Sequence, residues 1–267
     1  MIYPNFKKIL DKIFTSTSIR NYIYKTLFIK PKNYQISLSD KKDALYSQRV
    51  FMLKEKIYKG CFVQDIGNFE VIKSTSNFFI DKKLIDLCAA PGGKSILLHS
   101  LGFNVTAIDK SQKQLNKFRL NLKRLNINLE IQKIDFLKRK INIKYNSILL
   151  DAPCSALGTF RRNPDVTIKV DPSIIKKHQK IQLEMLEKAL EILNNKGFLV
   201  YVVCSFHPFE TIDVIDKIMR KHKNIKMHKI ESNRMIKRQR GFFINPQTFE
   251  EFGGSDIFFV SVLEKIS

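Results

Sequence analysis

The sequence contains no tryptophan and only four cysteines. None of the cysteines form a Cys-x-x-Cys pair, which excludes a zinc knuckle and a thioredoxin-type redox motif. Four cysteines in 267 residues do not suggest a disulfide framework either, so we expect a cytoplasmic protein in a reducing environment. No apolar run approaches the roughly 18 residues that a membrane span needs. We therefore predict neither a membrane partner nor a bound metal.

Acidic residues are scarce, which leaves the charge strongly unbalanced. The chain has 47 Lys and Arg residues against 25 Asp and Glu residues, a formal net charge of +22. Such a chain is attracted to polyphosphate by counterion release, so nucleic acid is the natural partner. An AT-rich genome would give a similar excess of Lys, Asn, Ile and Phe, and that explanation stays open. A hydrophobic fraction of 44% indicates a folded chain with a substantial core.

The first 57 residues show weak periodicity and differ from the rest. Ile9, Leu10 and Ile13 have helical spacing and predict an amphipathic helix that packs on the body. We interpret residues 1–57 as a mainly helical, RNA-binding appendage. Because the first 30 residues are basic and contain a single acid, Asp11, a mitochondrial transit peptide is the alternative.

Residues 58–267 alternate between short apolar runs and longer helical stretches. This alternation is typical of βαβ units, so we predict an α/β domain with a doubly wound, mostly parallel sheet. Parallel sheets bind ligands beyond the carboxyl ends of their strands, which directs attention to the residues after each run. The runs lie at 84–87, 105–109, 129–131, 147–151, 198–203 and 257–262, and the helical stretches at 94–100, 111–125, 173–194 and 209–222.

The first run leads into the segment CAAPGGK, residues 88–94, which we call the glycine turn. Its two glycines allow the backbone to turn sharply and to approach a ligand ahead of a helix. The spacing matches neither the P-loop nor the dinucleotide fingerprint, so neither a triphosphate nor a dinucleotide is favoured. An ordinary structural turn is the competing interpretation.

Acidic residues follow the next two runs. Asp109 ends the second run, where a carboxylate can accept hydrogen bonds from both hydroxyls of a ribose. Capping of the next helix is the alternative role, for which Ser111 competes. Asp135 and Phe136 follow the third run, where they could meet an adenine ring. Together with the glycine turn, these acids describe an adenosyl pocket.

A cysteine follows each of the fourth and fifth runs. Cys154 lies in Asp-Ala-Pro-Cys, and Cys204 directly follows the fifth run. The two runs are neighbours in the usual doubly wound order, which would bring both thiols to one edge beside the adenosyl pocket. Buried cysteines that merely pack as small hydrophobes are the alternative.

The stretches DLCAAPGGKS, DAPCSALGTFRRNPD and VVCSFHPFE closely resemble the RsmB/Sun-type RNA cytosine-C5 methyltransferases. The resemblance implies a Rossmann-like class I fold, with a seven-stranded sheet whose last strand is antiparallel, and S-adenosyl-L-methionine as cofactor. The sequence departs from the family at Val203, where threonine is common, and at Thr211 and Ile212, which leave Glu210 as the first acid of a reduced motif. The cofactor contacts that the resemblance implies are Cys88, Ala89, Ala90, Pro91, Gly92, Gly93, Lys94, Asp109, Asp135 and Asp151.

The resemblance also implies the chemistry. Cys204 is the expected nucleophile toward carbon 6 of cytosine, Cys154 assists breakdown of the adduct, and Asp151 lies near both ligands. We further expect Arg161, Arg162 and Lys94 to contact RNA. The product would be 5-methylcytosine, in 16S small-subunit rRNA first and in tRNA as the alternative, made by a monomer.

Two other classes of function stay open. One is methylation of an exocyclic amine, although that chemistry usually uses an Asp/Asn-Pro-Pro-aromatic loop where this chain has Asp-Ala-Pro-Cys. The other is a non-catalytic RNA-binding module that assists ribosome assembly.

Overall fold

The computed structural model describes residues 6–27, 29, 31–38, 50–53, 56–169 and 171–266. Short 3₁₀ turns add to the helices and strands. The described helices are α1 (Phe6–Ile13), α2 (Thr17–Thr26), α3 (Ile66–Thr75), α4 (Gly93–Ser100), α5 (Gln112–Leu125), α6 (Val166–Lys169), α7 (Pro172–Ile192) and α8 (Ile212–Lys221). The described strands are β1 (Tyr34–Ser37), β2 (Val50–Met52), β3 (Cys61–Val63), β4 (Lys83–Leu87), β5 (Asn104–Asp109), β6 (Glu130–Lys133), β7 (Tyr145–Asp151), β8 (Leu193–Val203), β9 (Ile225–His228), β10 (Met235–Arg238), β11 (Gly241–Ile244) and β12 (Phe259–Lys265).

The main sheet has the order β10-β11-β12-β8-β7-β4-β5-β6, and β9 also pairs with β12. Strands β4 to β8 run parallel, whereas β12 is antiparallel to β8. The predicted doubly wound sheet with an antiparallel last strand is therefore confirmed. The hairpin of β10 and β11 brings the described sheet to nine strands, two more than the predicted seven. The carboxyl ends of the parallel strands meet at one edge, which we call the carboxyl edge.

Both faces of the parallel strands are buried, as their near-continuous apolar sequences require. Leu84 packs in a cluster with residues of α3, α4 and α5, whereas Ile85 and Leu87 pack against residues of α1, α7 and α8. All three side chains are at most 1% exposed. Each such side chain stabilises the fold by roughly 1.5–3 kcal/mol. Helices on both faces therefore hold the carboxyl edge in a fixed shape.

The N-terminal helix packs on the body as predicted. Leu10 and Ile13 of α1 are buried, and the Phe6 ring meets the edge of Phe206 at 5.3 Å between centroids. The sequence did not predict the small sheet β2-β1-β3. Strands β1 and β2, both within the first 57 residues, pair with each other, and β1 also pairs with β3, which lies beyond that boundary. The division of the chain at residue 57 stays a prediction. Residues 39–49 of the predicted appendage lie outside the described residues.

Two predicted elements begin later than expected, for local reasons. Strand β12 begins at Phe259 rather than at Ile257, because the Ile257 N–H donates to the Gly158 carbonyl at 3.0 Å. Helix α8 begins at Ile212 because Pro208–Glu210 form a separate 3₁₀ turn. In both cases the residues that the predicted element would have included contact the loops at the carboxyl edge instead.

Candidate active site

The glycine turn lies between β4 and α4, at the carboxyl edge. Gly92 adopts a φ of +102°, and a Cβ there would come within 2.1 Å of the Phe118 ring in α5. No residue except glycine fits this position without displacing that ring. Below the turn, the Ser95 hydroxyl donates to the buried carboxylate of Asp86 at 2.5 Å. Strand β4 and helix α4 are thus joined directly beneath the turn.

Lys94 and Asp151 form an ion pair across the carboxyl edge. The Lys94 Nζ lies 2.7 Å from Asp151 Oδ2 and 5.3 Å from the Phe258 ring centroid. The Lys94 side chain is 6% exposed and that of Asp151 is 33% exposed. The buried ammonium of Lys94 therefore holds the Asp151 carboxylate, which is one-third exposed and has one side open to a ligand.

The two acids of the predicted adenosyl pocket lie at the ends of neighbouring strands. Asp109 accepts hydrogen bonds from the Ala90 N–H at 3.2 Å and from the Ser111 N–H at 2.7 Å. Its carboxylate thus braces the glycine turn, while the Ser111 hydroxyl caps α5. Asp135 accepts from the Leu137 N–H at 3.2 Å. Each carboxylate oxygen has two lone pairs, so both acids keep acceptor capacity for a ligand.

The two predicted thiols lie together. Cys154 Sγ and Cys204 Sγ are 3.2 Å apart, at the ends of β7 and β8, which pair in parallel. The pKa of the Cys154 thiol is raised well above its usual value, first by the hydrogen bond with Cys204 and then by burial. The Cys154 thiol therefore keeps its proton and can donate it in a hydrogen bond to the sulfur of Cys204.

Glu210 joins the two loops that carry these thiols, a contact that the sequence reasoning missed. We define the thiol loops as residues 152–159 and 204–210. Glu210 Oε1 accepts from the Ser155 N–H at 2.7 Å, and Oε2 accepts from the Ser205 hydroxyl at 2.6 Å. The Ser155 hydroxyl also donates to Oε2. In the sequence, the signal for this contact was an acidic residue, Glu210, six positions after the strand-end Cys204.

A cleft of about 190 Å³ lies over the glycine turn. It is lined in part by residues predicted to contact the cofactor and in part by a segment near β3 for which no role was predicted. Both amide atoms of Gln64 and the side-chain carbonyl of Asn68 are buried there with no hydrogen-bond partner among the described residues. The residues lining the cleft are Phe62, Val63, Gln64, Asp65, Asn68, Ala89, Ala90, Pro91, Gly93, Lys94, Ile96, Asn121 and Asp151.

These features fit S-adenosyl-L-methionine. A polar, adaptable ligand would satisfy the Gln64 amide, whose burial without a partner costs about 1–3 kcal/mol per group. A Cβ at Gly93 would lie 2.9 Å from Gln64 Nε2, so a larger residue there would displace this amide. The turn, the two strand-end acids and the Gln64 amide are therefore the residues that could hold the cofactor.

The two arginines predicted to contact RNA both make contacts within the protein. Arg162 forms ion pairs with Asp65 at 2.6 Å and with Asp256 at 3.1 Å. Arg161 is 7% exposed and donates to the Gly253 carbonyl at 2.7 Å. Both side chains thus fasten a thiol loop to neighbouring segments, and their contact with RNA stays a prediction.

Within the described part of the chain, no group of three or more His, Cys, Asp or Glu side chains is placed to hold a metal ion. None of the described helices has the length and apolar character needed to cross a membrane.

The sheet order and the edge that carries these residues define a Rossmann-like class I methyltransferase. The chain belongs to the 16S rRNA methyltransferase RsmB/F family, whose sequence model matches residues 78–264. This match confirms the predicted family. The crystal structure of NSun6 from Pyrococcus horikoshii with SFG has a TM-score of 0.77 at 16% identity, covering 99% of this chain and 98% of that one. That likeness confirms the fold.

Sequence relatives match a shorter part of the chain. Ribosomal RNA small subunit methyltransferase B of Klebsiella pneumoniae (strain 342) is 40% identical over 135 residues, which cover 48% of this chain. The probable ribosomal RNA small subunit methyltransferase B of Coxiella burnetii (strain RSA 493 / Nine Mile phase I) is 33% identical over 166 residues, which cover 56% of this chain. The matches span only 31% and 37% of those relatives.

Proposed function

We propose that the protein transfers a methyl group from S-adenosyl-L-methionine to carbon 5 of a cytosine in small-subunit ribosomal RNA, with Cys204 as the nucleophile. The observation that carries this proposal is the thiol pair. Cys154 Sγ and Cys204 Sγ lie 3.2 Å apart at the ends of two paired parallel strands. The names of the sequence relatives support ribosomal RNA as the substrate.

Carbon 5 of cytosine is a poor nucleophile and needs activation. The Cys204 thiolate adds to carbon 6, forming a sulfur–carbon bond and placing an electron pair at carbon 5. Cys154 keeps its proton, because its pKa is raised by the hydrogen bond with Cys204 and by burial. The neighbouring thiol can therefore stabilise the attacking sulfur without competing for the base.

Negative charge develops on the cytosine ring during this addition. The Lys94–Asp151 pair, 2.7 Å apart, is positioned to meet it. In this proposal a proton shared between the Asp151 carboxyl and N3 of the base stabilises this charge as it accumulates, and Lys94 holds the Asp151 side chain in place. Asp151 is the member that reaches the substrate, since Lys94 is almost fully buried.

When bound, S-adenosyl-L-methionine would supply the electrophilic methyl group to carbon 5 and would leave as S-adenosyl-L-homocysteine. The glycine turn, Asp109 and Asp135 hold it in this proposal. A proton then leaves carbon 5, and the bond between Cys204 and carbon 6 breaks to free the product. We assign this proton to Cys154, which lies beside Cys204 and accepts it as a thiolate, after its own proton has passed to solvent.

The target base must be reached from both ring faces, so it lies outside any base stack. The net charge of +22 supports the attraction of RNA to this surface. A monomer and a cytoplasmic location remain predictions from the sequence.

The test uses cellular RNA made without this enzyme, purified protein and labelled cofactor. Wild type, Cys204→Ala and Cys154→Ala are compared, and products are mapped by bisulfite sequencing. We expect one new 5-methylcytosine in small-subunit rRNA, lost in Cys204→Ala and replaced by a stalled adduct in Cys154→Ala. Methylation of tRNA instead would correct the substrate. Absence of methylcytosine on every RNA, with cofactor binding intact, would contradict the function and favour amine methylation or a silent assembly factor.

A further inference from the structure

Glu210 lies outside the residues that meet the substrate in the proposed mechanism, yet its carboxylate contacts both thiol loops. The side chain is fully buried. One oxygen accepts from the Ser155 N–H at 2.7 Å, next to Cys154, and the other accepts from the Ser205 hydroxyl at 2.6 Å, next to Cys204. Each of the two serines adjoins one thiol in the sequence.

A second set of contacts fixes Glu210 itself. The Tyr201 hydroxyl in β8 donates to the Glu210 backbone carbonyl at 2.8 Å. The Nδ1 atom of His178 in α7 lies 3.7 Å from Oε1. The backbone of Glu210 is therefore held by strand β8, while its carboxylate holds the two loops.

Burial of a carboxylate is expensive, and an apolar residue could fill the same space at lower cost. Three donors, namely the Ser155 N–H and the Ser155 and Ser205 hydroxyls, offset that cost here. What an apolar residue could not provide is a rigid link between two separate loops. A fully satisfied buried polar network fixes a single geometry for the groups attached to it.

We propose that Glu210 is a positioning residue that sets the separation of the two thiols. The inference rests on the proposed function, because the thiol separation matters only if both sulfurs act on one base. The negative charge of Glu210 adds to the causes that raise the pKa of Cys154, after the hydrogen bond with Cys204 and burial. The fixed separation of the sulfurs and the raised pKa of Cys154 both favour a nucleophilic role for Cys204 and a proton-transfer role for Cys154.

The first readout is turnover by Glu210→Ala and Glu210→Gln. Glutamine can accept from the Ser155 N–H and donate to the serine hydroxyls, which can rotate to accept, so it keeps the link between the loops. We expect Glu210→Ala to lower kcat by about 100-fold, the effect of a roughly 1 Å misplacement. The KM for S-adenosyl-L-methionine should stay near that of the wild type, and Glu210→Gln should recover most of kcat. A glutamine variant no better than alanine would overturn the proposal.

The second readout needs no RNA. Oxidation of the free protein with diamide converts the two thiols to a disulfide, and its rate reports how often the sulfurs meet. We expect the disulfide between Cys154 and Cys204 to form about 10-fold more slowly in Glu210→Ala, since looser loops lower the effective molarity of one thiol at the other. An unchanged rate would overturn the proposal even if methylation were never observed.

Controls separate positioning from stability. Glu70→Ala removes another buried carboxylate, which accepts from the Ser232 hydroxyl at 2.6 Å and lies outside the thiol loops. It should lower the melting temperature and leave kcat per folded molecule unchanged. If Glu210→Ala does not fold, Ser205→Ala removes the hydrogen bond to Glu210 Oε2, together with the one accepted from the His207 N–H, and should slow both readouts. Normal values of both readouts in Ser205→Ala would contradict the link.

Discussion

The thiol loops and the cleft over the glycine turn are both polar, but their hydrogen bonding differs. In the thiol loops, the buried Glu210 carboxylate has a donor for each oxygen. In the cleft, the Gln64 amide and the Asn68 carbonyl are buried without partners among the described residues. One region is satisfied within the protein, whereas the other has polar atoms that a ligand can satisfy.

This difference suggests a division of labour. Groups that perform chemistry gain from fixed geometry before the substrate arrives, since no reorganisation is then needed during the reaction. Groups that recognise a ligand gain from unpaired donors and acceptors, because a competitor that lacks the matching groups leaves them unpaired. Lys94 and Asp151 form a bridge between the two regions, which makes their pair the most informative place to perturb.

Breaking the Lys94–Asp151 pair should have the largest effect among these predictions. Asp151→Asn and Lys94→Met should each lower kcat/KM for RNA methylation by about 100-fold, the lower end of the range for a group that handles charge or protons in a transition state. If the two residues act together, the double variant loses much less than the product of the single losses. Rates are measured with labelled cofactor.

Asp216→Asn is the matched control, since it breaks an ion pair with Arg240 at 2.7 Å away from the carboxyl edge. Its rate should equal that of the wild type. Losses that multiply in the double variant would show that Lys94 and Asp151 act separately, and the bridge between the two regions would not exist.

Gly92→Ala should distort the cleft while sparing the thiol loops. Alanine must take up a φ of +102° and place its Cβ 2.1 Å from the Phe118 ring. Strain and overpacking together should lower the free energy of unfolding by roughly 2–5 kcal/mol. Cofactor affinity, measured by calorimetry on folded protein, should fall as well.

Gly102→Ala isolates the strain alone. Gly102 has a φ of +86°, and a Cβ there meets nothing within 4 Å. Gly102→Ala should destabilise the protein less than Gly92→Ala does, and it should leave cofactor affinity unchanged. Equal losses in the two variants would mean that the Phe118 contact does not shape the turn.

Asp86, beneath the glycine turn, should give the smallest effect. Burial raises the pKa of Asp86 from 3.8 to about 7, although the Ser95 hydroxyl opposes the shift. A carboxyl whose folded-state pKa is raised favours folding when protonated, so that stability is lost as the pH rises from 3.8 towards about 7. The asparagine of Asp86→Asn does not ionise, so this variant does not lose stability in this way as the pH rises. Its melting temperature relative to wild type should therefore increase by a few degrees between about pH 5 and about pH 8.

The exposed Asn116→Ala in α5, which changes no titratable group, provides the comparison, and its difference from wild type should not change with pH. A flat profile for Asp86→Asn would show that this carboxyl is not the group that couples the turn to pH.

The sequence alone predicted the elements that carry chemistry. Strand-end positions are readable because apolar runs end sharply at Asp109, Asp151 and Val203, and the parallel order then brings those ends together. The close approach of the two thiols depends on this topology, which the alternation of runs and helices already indicated.

Other parts of the site depend on contacts between segments far apart in the chain. Arg162, which is predicted to contact RNA, also pairs with Asp65 and Asp256, which lie 97 and 94 positions away. No local pattern marks such a pair. Glu210 was noted as part of a motif, yet its burial and its link to Ser155 became visible only in three dimensions.

The most direct test of the account is covalent trapping on RNA that contains 5-fluorocytosine, with S-adenosyl-L-methionine present. Fluorine at carbon 5 blocks the final proton loss, so the adduct persists through denaturing electrophoresis and its peptide can be mapped. The account predicts an adduct on Cys204 in the wild type and in Cys154→Ala, and none in Cys204→Ala. An adduct on Cys154, or methylated RNA from Cys204→Ala, would contradict it.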